Sequence, residues 1–368
     1  MWSVVNLVDR FSDTYDFFVV TRNHESRSDF APFTSVKTGS WNDVGGAHAF
    51  YMAPGDVTVA AITPLVNEIE PDGVFLNSVF SILVVRYLLA RRRGLVKRIP
   101  VVLAPCGDLT PGALRSKRWK KLPFLPVARR FGLYSGLLWK ASTEIECEDI
   151  RRVFGKNLDP MIAPDLPPRE VLPGFSIDRK PPKISGSMRL VFMSRIDRKK
   201  NLEYLIDRLS SIAEGGIELS IVGPHEDARY WGVCREKIRR LPSNIDVNVV
   251  GAVSYLEGLK LLTENHFFAL PTLGENFGYV MLEALAAGCP IVVSERTIWG
   301  HIEDRNAGWA VSLEEPEAWV EVLKSCVAMD RNQFEKLSES ARRIAVEWLC
   351  DPGVEAATAK VLESAFGM

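Results

Sequence analysis

Residues 267–295 read FFALPTLGENFGYVMLEALAAGCPIVVSE, and this run decides the fold. Residues 267–272 form an apolar strand, Gly274 and Gly278 bracket a turn, and residues 279–287 form an apolar helix. Gly288 suits the helix C-terminus, and Pro290 stops the helix before residues 291–294 open the next strand. Strand, tight loop, helix, strand is the repeating unit of an open α/β sheet, where ligands bind at the carboxyl ends of the strands. The loop lies at that end, and the amides at the helix N-terminus offer a site for a phosphate or sugar oxygen. Glu275 lies in the loop, and Glu283 sits eight positions further on along the helix. A carboxylate accepts two hydroxyl protons at once, which suits a hydroxyl-rich ligand. Taken singly, each glutamate is ordinary: the helix dipole favours acid near a helix start, and Glu283 would serve equally as a solvated side chain.

Outward from this run the pattern repeats. Residues 189–194, 219–223, 247–251 and 291–295 read as strands, and 202–213, 228–241, 255–263 and 316–329 as helices. The first half alternates likewise, with strands at 17–21, 73–76 and 101–104 and helices at 57–70, 79–93 and 142–154, the last capped by Ser142 or Thr143. Between the halves, seven prolines crowd residues 158–183 (Pro160, Pro164, Pro167, Pro168, Pro173, Pro181 and Pro182), as in an extended linker. The expected architecture is α/β, two Rossmann-like domains facing a cleft. The expected domains are 1–170, 171–345, and a C-terminal helix at 346–368 returning to the first.

The 368 residues are 47% hydrophobic and 25% charged, a composition that supports about two globular domains. A net charge of −1 excludes a strongly cationic nucleic-acid binder. Charge is uneven, however: between Arg86 and Arg130 there are 13 basic residues against the single acid Asp108. Leu95, Trp119, Leu122, Phe124, Leu125, Val127 and Phe131 interleave or border them. This segment reads either as a solvated basic face or as a surface for anionic lipid. Six cysteines show neither CxxC spacing nor histidine partners, so no zinc site or disulfide framework is expected, and a reducing cytoplasm is the simplest setting. The N-terminus lacks the pattern of a signal peptide, and the most apolar run, 79–85, is far shorter than a membrane span.

Directly after the first strand of the second half comes SRIDRKKNL, where Arg195 and Lys200 stand five residues apart in a strand-to-helix loop. Both could reach one diphosphate, arginine as a planar fork and lysine as a mobile point charge; a solvated basic loop is the plainer alternative. Asp-x-Asp, P-loop and GxGxxG patterns are all missing from the sequence, which disfavours a metal-held diphosphate and a nicotinamide enzyme.

Together these pieces resemble the retaining, family-4 glycosyltransferases of the GT-B fold, whose donor domain carries two glutamates with seven residues between them flanking a glycine-containing turn. IVGPHED (221–227) and VVGAVSYLEGLKLL (249–262) resemble further parts of that domain, and the likeness runs over 189–312. The resemblance implies that Glu275 contacts the transferred sugar and that Arg195 and Lys200 hold the donor diphosphate, with Arg198 and Lys199 less well placed. Amides near Asn276, Phe277 and Gly278 would face sugar and phosphates, Glu283 would take the ribose hydroxyls, and Gly251 and Val253 would lie beside the base. No metal, no cofactor and no dedicated base residue are expected.

In the first half, FLNSVFS (75–81) and APCGDLTPGALRSKRWKK (104–121) resemble the acceptor domain of a polysaccharide-forming branch, with Cys106 and Gly107 on the acceptor side. Many relatives carry histidine before that glycine and others arginine; cysteine there reads more readily as a buried structural residue. The resemblance also implies an opening strand and loop of about 20–30 residues before the helix at 2–10, not carried by this sequence. Either the start is placed too late or the product is truncated and its first domain impaired. The expected function is transfer of a hexose from a nucleotide-diphosphate sugar to a glycan or lipid-linked saccharide in cell-surface polysaccharide assembly, in the cytoplasm or at the inner face of the membrane. A noncatalytic nucleotide-sugar-binding protein and a GT-B epimerase are the alternatives.

Overall fold

Alternation of short apolar runs with helices gives the first contact unit its layers. That unit comprises residues 1–168 and 352–368, and the second comprises residues 169–351. The computed structural model describes residues 2–24, 31–115, 118–169 and 180–367. Helix α1 (Trp2–Phe11) buries Leu7, Val8 and Phe11. Strand β1 (Phe17–Arg22) pairs with one later strand, β3 (Ala47–Met52), in parallel; β2 (Trp41–Val44) lies antiparallel on β3. Gly45 and Gly46, with φ of +55° and +82°, make the two-residue turn of that hairpin, whose twist suits right-handed strands.

After α2 (Val59–Ile69), capped by the Thr58 hydroxyl, a second sheet begins at β4 (Val74–Asn77). Helix α3 (Ile82–Arg92) leads to β5 (Val101–Ala104), whose four residues are all buried. Helices α4 (Pro111–Arg115) and α5 (Arg118–Arg130) precede β6 (Leu138–Ala141), then α6 (Glu144–Phe154) and β7 (Met161–Ile162). These four strands are parallel in the order β4-β5-β6-β7. Thr143 is the cap of α6, its hydroxyl accepting from the Glu146 amide.

The second unit holds one six-stranded parallel sheet, ordered β10-β9-β8-β11-β12-β13. Its elements run β8 (Ser187–Met193), α7 (Leu202–Leu209), β9 (Gly216–Val222), α8 (Ala228–Ile238), β10 (Ile245–Gly251), α9 (Tyr255–Glu264), β11 (Phe267–Leu270), α10 (Tyr279–Ala286) and β12 (Ile291–Ser294). Then come β13 (Gly308–Val311), α11 (Pro316–Ala328) and α12 (Arg331–Leu349). Strands β11 and β12 are buried throughout, because helices cover both faces of a parallel sheet. The strands leave β8 in one direction through β9 and β10, and in the other through β11, β12 and β13. The order therefore reverses between β8 and β11, which is where doubly wound sheets bind ligands.

The expected break after residue 345 falls inside α12, which is nucleated by a capping box between Asp330 and Gln333 and runs to Leu349. The expected boundary at 170/171 lies in residues 170–179, outside the described residues. Helix α13 (Pro352–Phe366) belongs to the first unit and buries Val354, Thr358, Val361 and Leu362. Val361 packs with Val102 and Ala163, and the Phe366 ring lies so close to Gly73 that a Cβ there would come within 2.0 Å of it. Among the described residues, no helix is long and apolar enough to cross a membrane.

Candidate functional site

The loops that leave β8 and β11 meet at the point where the strand order reverses. Beyond β8, the Asp197 carboxylate accepts from the Lys200 amide at 3.1 Å, and Asn201, at φ +60°, opens α7. Beyond β11, the Leu273 amide donates to the Lys199 carbonyl at 2.8 Å and the Thr272 hydroxyl to the same carbonyl at 3.2 Å. The two loops are thus stitched together through the Lys199 carbonyl. The Glu275 amide donates to the Arg296 carbonyl at 3.0 Å, which fixes the carboxylate's root.

That stitching brings four charged groups together. The Lys200 ammonium contacts the Glu275 carboxylate directly, and the Lys199 ammonium lies 3.9 Å from its other oxygen. Arg195 holds Glu226, from the loop after β9, at 3.0 Å, with the Arg195 side chain 55% exposed. Burial alone would push the Glu275 carboxyl up, but Lys200, Lys199 and Arg195 together outweigh it and hold the group below the usual range. Burial lowers the Lys199 ammonium, with Lys200 and Arg195 adding to the effect and Glu275 opposing it. Three cations and three carboxylates, Glu275, Glu226 and Asp197, are thus gathered at these loops, and an incoming anion would compete with the carboxylates for Lys199, Lys200 and Arg195.

Gly278 opens α10 at φ +76°, and a Cβ there would lie 2.0 Å from Met281 Cε and 3.0 Å from Glu275 Cγ. Only glycine gives this loop its approach to the helix N-terminus, where the first amides have no partner within the helix. Phe277 is buried, packed against Tyr279 and Trp348 with ring centres 5.1 and 4.7 Å apart, so its side chain anchors the loop. Glu283 lies one turn further along α10. Burial pushes its carboxyl up to about 7, opposed by a hydrogen bond from Tyr255. Tyr255 opens α9 two residues after Val253, so Glu283 and the 251–253 segment share a neighbourhood. Gly251, at φ +82°, gives its carbonyl to the Gly223 amide at 2.7 Å.

In the first unit, Cys106 and Gly107 follow β5 in left-handed conformations, at φ +54° and +75°. The expectation that Cys106 is a buried structural residue is overturned: its side chain is exposed. A residue at the apex of a left-handed turn points its side chain out of the sheet's core. Its Sγ lies beside the Ala104 carbonyl and the Asn77 side chain, and shielding by the surrounding protein with the carboxylates of Asp165, Glu146 and Asp108 raises the thiol, Lys140 opposing. The Glu146 carboxylate accepts from the Gly107 amide at 2.7 Å and from the Ser142 amide at 2.8 Å. Lys140 and Asp165 form a buried ion pair at 2.6 Å, with the Ser142 hydroxyl donating to Asp165 at 2.7 Å. Asp108 accepts from the Ser78 hydroxyl and, at 2.9 Å, from the Val79 amide.

Residues 187–328, within the second unit, match the family described as Glycosyl transferases group 1. The chain is 27% identical over 166 residues to a probable sucrose-phosphate synthase of Thermosipho melanesiensis, covering 44% of this chain and 38% of that protein. It is also 27% identical over 140 residues to a GDP-mannose-dependent alpha-(1-6)-phosphatidylinositol dimannoside mannosyltransferase of Mycobacterium tuberculosis, covering 38% of this chain and 35% of that one. The matched stretch spans well under half the length of either curated relative. Among solved structures, Anabaena HepE in complex with UDP and glucose superposes with a TM-score of 0.69 at 16% identity, over 99% of this chain and 95% of that one. A likeness at that identity shows the fold: α/β with two Rossmann-like units, the GT-B class.

Of the residues singled out by sequence, Arg195, Lys200 and Glu275 are brought to one switch point, with Asn276, Phe277 and Gly278 forming the adjoining turn. Glu283, Gly251 and Val253 gather around Tyr255 instead. Of the two adjacent lysines, Lys200 is buried and touches Glu275, whereas Lys199 is half-buried and stands further from it. Tyr255, Glu226 and Glu146 were missed. Glu146 had a legible signal: Ser-Thr-x-x-Glu before an apolar run is a capping pattern, but the same carboxylate also bonds a second loop. Leu125, one of the apolar residues that interleave the basic segment, is core.

Proposed function

We propose that the protein is a retaining glycosyltransferase that moves a hexose from a nucleotide-diphosphate sugar to a glycan or lipid-linked saccharide in cell-surface polysaccharide assembly, on the cytoplasmic side of the membrane. The observation that carries this reading is the contact of Lys200 and Lys199 with Glu275, with Arg195 nearby on Glu226, at the sheet's switch point and beside the N-terminus of α10. The group 1 domain match to residues 187–328 supports transfer chemistry. The name of the mycobacterial relative, with its GDP-mannose donor and phosphatidylinositol dimannoside acceptor, supports a lipid-linked saccharide.

In this mechanism Arg195, Lys199 and Lys200 neutralise the charge that builds on the leaving diphosphate, donors preorganised as in an oxyanion hole. Glu275, held ionised, accepts hydroxyl protons of the transferred sugar and sets its orientation. Glu283 accepts the ribose hydroxyls, and the backbone of Gly251 and Val253 lies along the base. The acceptor hydroxyl attacks from the face the diphosphate leaves, and the departing phosphate takes its proton, so no protein base is required. Cys106 and Gly107 belong to the acceptor side.

Helix α5 supplies the membrane contact. Its outer face exposes Trp119, Leu122 and Val127, with Phe131 just beyond, at 72, 46, 54 and 61%, while Leu125 and Ala128 face the core. Apolar side chains turned outward among Arg118, Lys120, Arg129 and Arg130 suit an anionic lipid surface.

A melting-temperature screen against UDP, GDP, ADP and their hexose conjugates, with and without EDTA, tests the donor site. A rise with one nucleotide, unchanged by EDTA, is expected, because ligand binding to the native state must stabilise it. No rise with any, from folded protein, would refute the reading.

A further inference from the structure

We propose that Glu146 is a positioning residue for the acceptor side of the reaction: by bridging the amides of Gly107 and Ser142 it fixes the turn that presents Cys106. The proposal rests on the transferase reading and deepens it.

Glu146 is only 2% exposed, on the first turn of α6. A carboxylate in such a place costs free energy unless every oxygen is served, and an apolar residue would fill the same face of the helix at no such cost. Its two oxygens are used separately, Oε1 for the Gly107 amide and Oε2 for the Ser142 amide. The first amide lies beyond β5 and the second beyond β6, so one side chain ties the carboxyl ends of two neighbouring strands.

The adjoining strand ends are tied in the same manner. Asp108, next to Gly107, holds the Ser78 hydroxyl and the Val79 amide beyond β4. Lys140 at the end of β6 pairs with Asp165 beyond β7, and the Ser142 hydroxyl closes that link. Four consecutive strand ends are therefore locked by three buried or half-buried carboxylates, at the end of the sheet where ligands bind in such folds.

What the lock holds is a strained turn. Ser78 and Cys106 both sit in the left-handed region, at φ +78° and +54°, although neither is glycine. Such conformations persist only where the surroundings over-determine them, and they gather where a backbone must be aimed. Glu146 reaches no solvent-facing part of the turn itself. Its effect on the reaction must therefore pass through the position of residues 106 and 107.

The test compares full-length wild type with Glu146→Gln and, as a harsher change, Glu146→Ala. The side-chain amide introduced by the first variant keeps one acceptor and turns a donor towards the second N–H. Hydrogen exchange in peptides covering 104–110 and 141–146 should quicken by about tenfold, the loss of one hydrogen bond, with second-unit peptides unchanged. With UDP-glucose or GDP-mannose as donor and octyl glucoside or octyl mannoside as acceptor, kcat should fall by about tenfold to a hundredfold while the donor KM moves less than about twofold. Unchanged exchange in the two loops overturns the clamp. Faster exchange with unchanged kcat, or a donor KM that rises in step with the loss of kcat, overturns the positioning role. Melting of the Glu146→Gln protein within a few degrees of wild type separates either result from general unfolding. A wild type that neither binds nor turns over any of the UDP, GDP or ADP hexose conjugates refutes the transferase reading instead, and the exchange rates alone then decide the clamp.

Discussion

Replacing Glu283 with glutamine should stabilise the protein at pH 8 while weakening its hold on nucleotide. The carboxyl is pushed up to about 7 from the usual 4.5 because α10 buries it with only the Tyr255 hydroxyl opposing the effect. Below pH 4.5 the group is protonated in both folded and unfolded chains, so it contributes nothing. Between 4.5 and 7 the unfolded chain ionises first, so the native state binds more protons and stability falls as pH rises. Above 7 the cost is constant. The difference of about 2.5 units, at about 1.36 kcal/mol each, sets a ceiling of about 3 kcal/mol. Because the side chain keeps some access to solvent, about 1–2 kcal/mol is the expected size. Glutamine cannot ionise, so Glu283→Gln should melt roughly 2–8 °C higher than wild type at pH 8 and about level with it at pH 5. Nucleotide affinity should behave in the opposite sense. If only the carboxylate takes the ribose hydroxyls, wild-type Kd should weaken about tenfold from pH 8 to pH 6, and the variant should show no such slope. Scanning fluorimetry across pH 5–8, with calorimetric titration of the nucleotide identified by the screen, measures both. A variant that melts below wild type at pH 8, or a melting difference that stays flat with pH, would refute the reasoning.

Three other outcomes are expected. Arg195→Ala removes a half-exposed pair with Glu226 and should shift the melting point by little, under about 1 kcal/mol, yet lower kcat and raise donor KM together; a matching loss of stability would recast Arg195 as structural. Gly278→Ala puts a methyl into the space of Met281 Cε and strains a left-handed position, so a loss of about 1–3 kcal/mol and of nucleotide binding should appear together in denaturant titration. Flotation with vesicles rich in phosphatidylserine should recover the protein at low salt and lose it at high salt, and Trp119→Ala with Phe131→Ala should abolish it; salt-independent or absent flotation removes α5 as a membrane contact.

The second unit was the more legible of the two because its strands are covered on both faces, so residues such as 267–270 and 291–294 read as unbroken apolar runs. The first unit hides its outer strands. Strand β2 (WNDV) is half polar, so the Gly45-Gly46 turn has an apolar run, residues 49–53, on one side only. Helix α5 carries Pro123 and Pro126 inside it, which argues against a helix until its buried Leu125 and Ala128 are seen. For the site, Arg195 and Lys200 stand close in sequence, but Glu275 lies 75 positions beyond Lys200. Their meeting was expected only from likeness to a family. The approach of Lys199 to Glu275, the left-handed apex at Cys106 and the double use of Glu146 all depend on contacts between loops far apart in the chain, which no local pattern encodes.

The second unit occupies one continuous stretch, but the first is completed only by α13, whose Val361 and Phe366 cover Val102 and Gly73. During synthesis the ribosome therefore finishes the second unit before it supplies the last piece of the first. Strands β4 and β5, made early, wait with an apolar face uncovered while the whole stretch 169–351 emerges. A frameshift near residue 352 would spare the second unit while leaving the apolar face of the first uncovered.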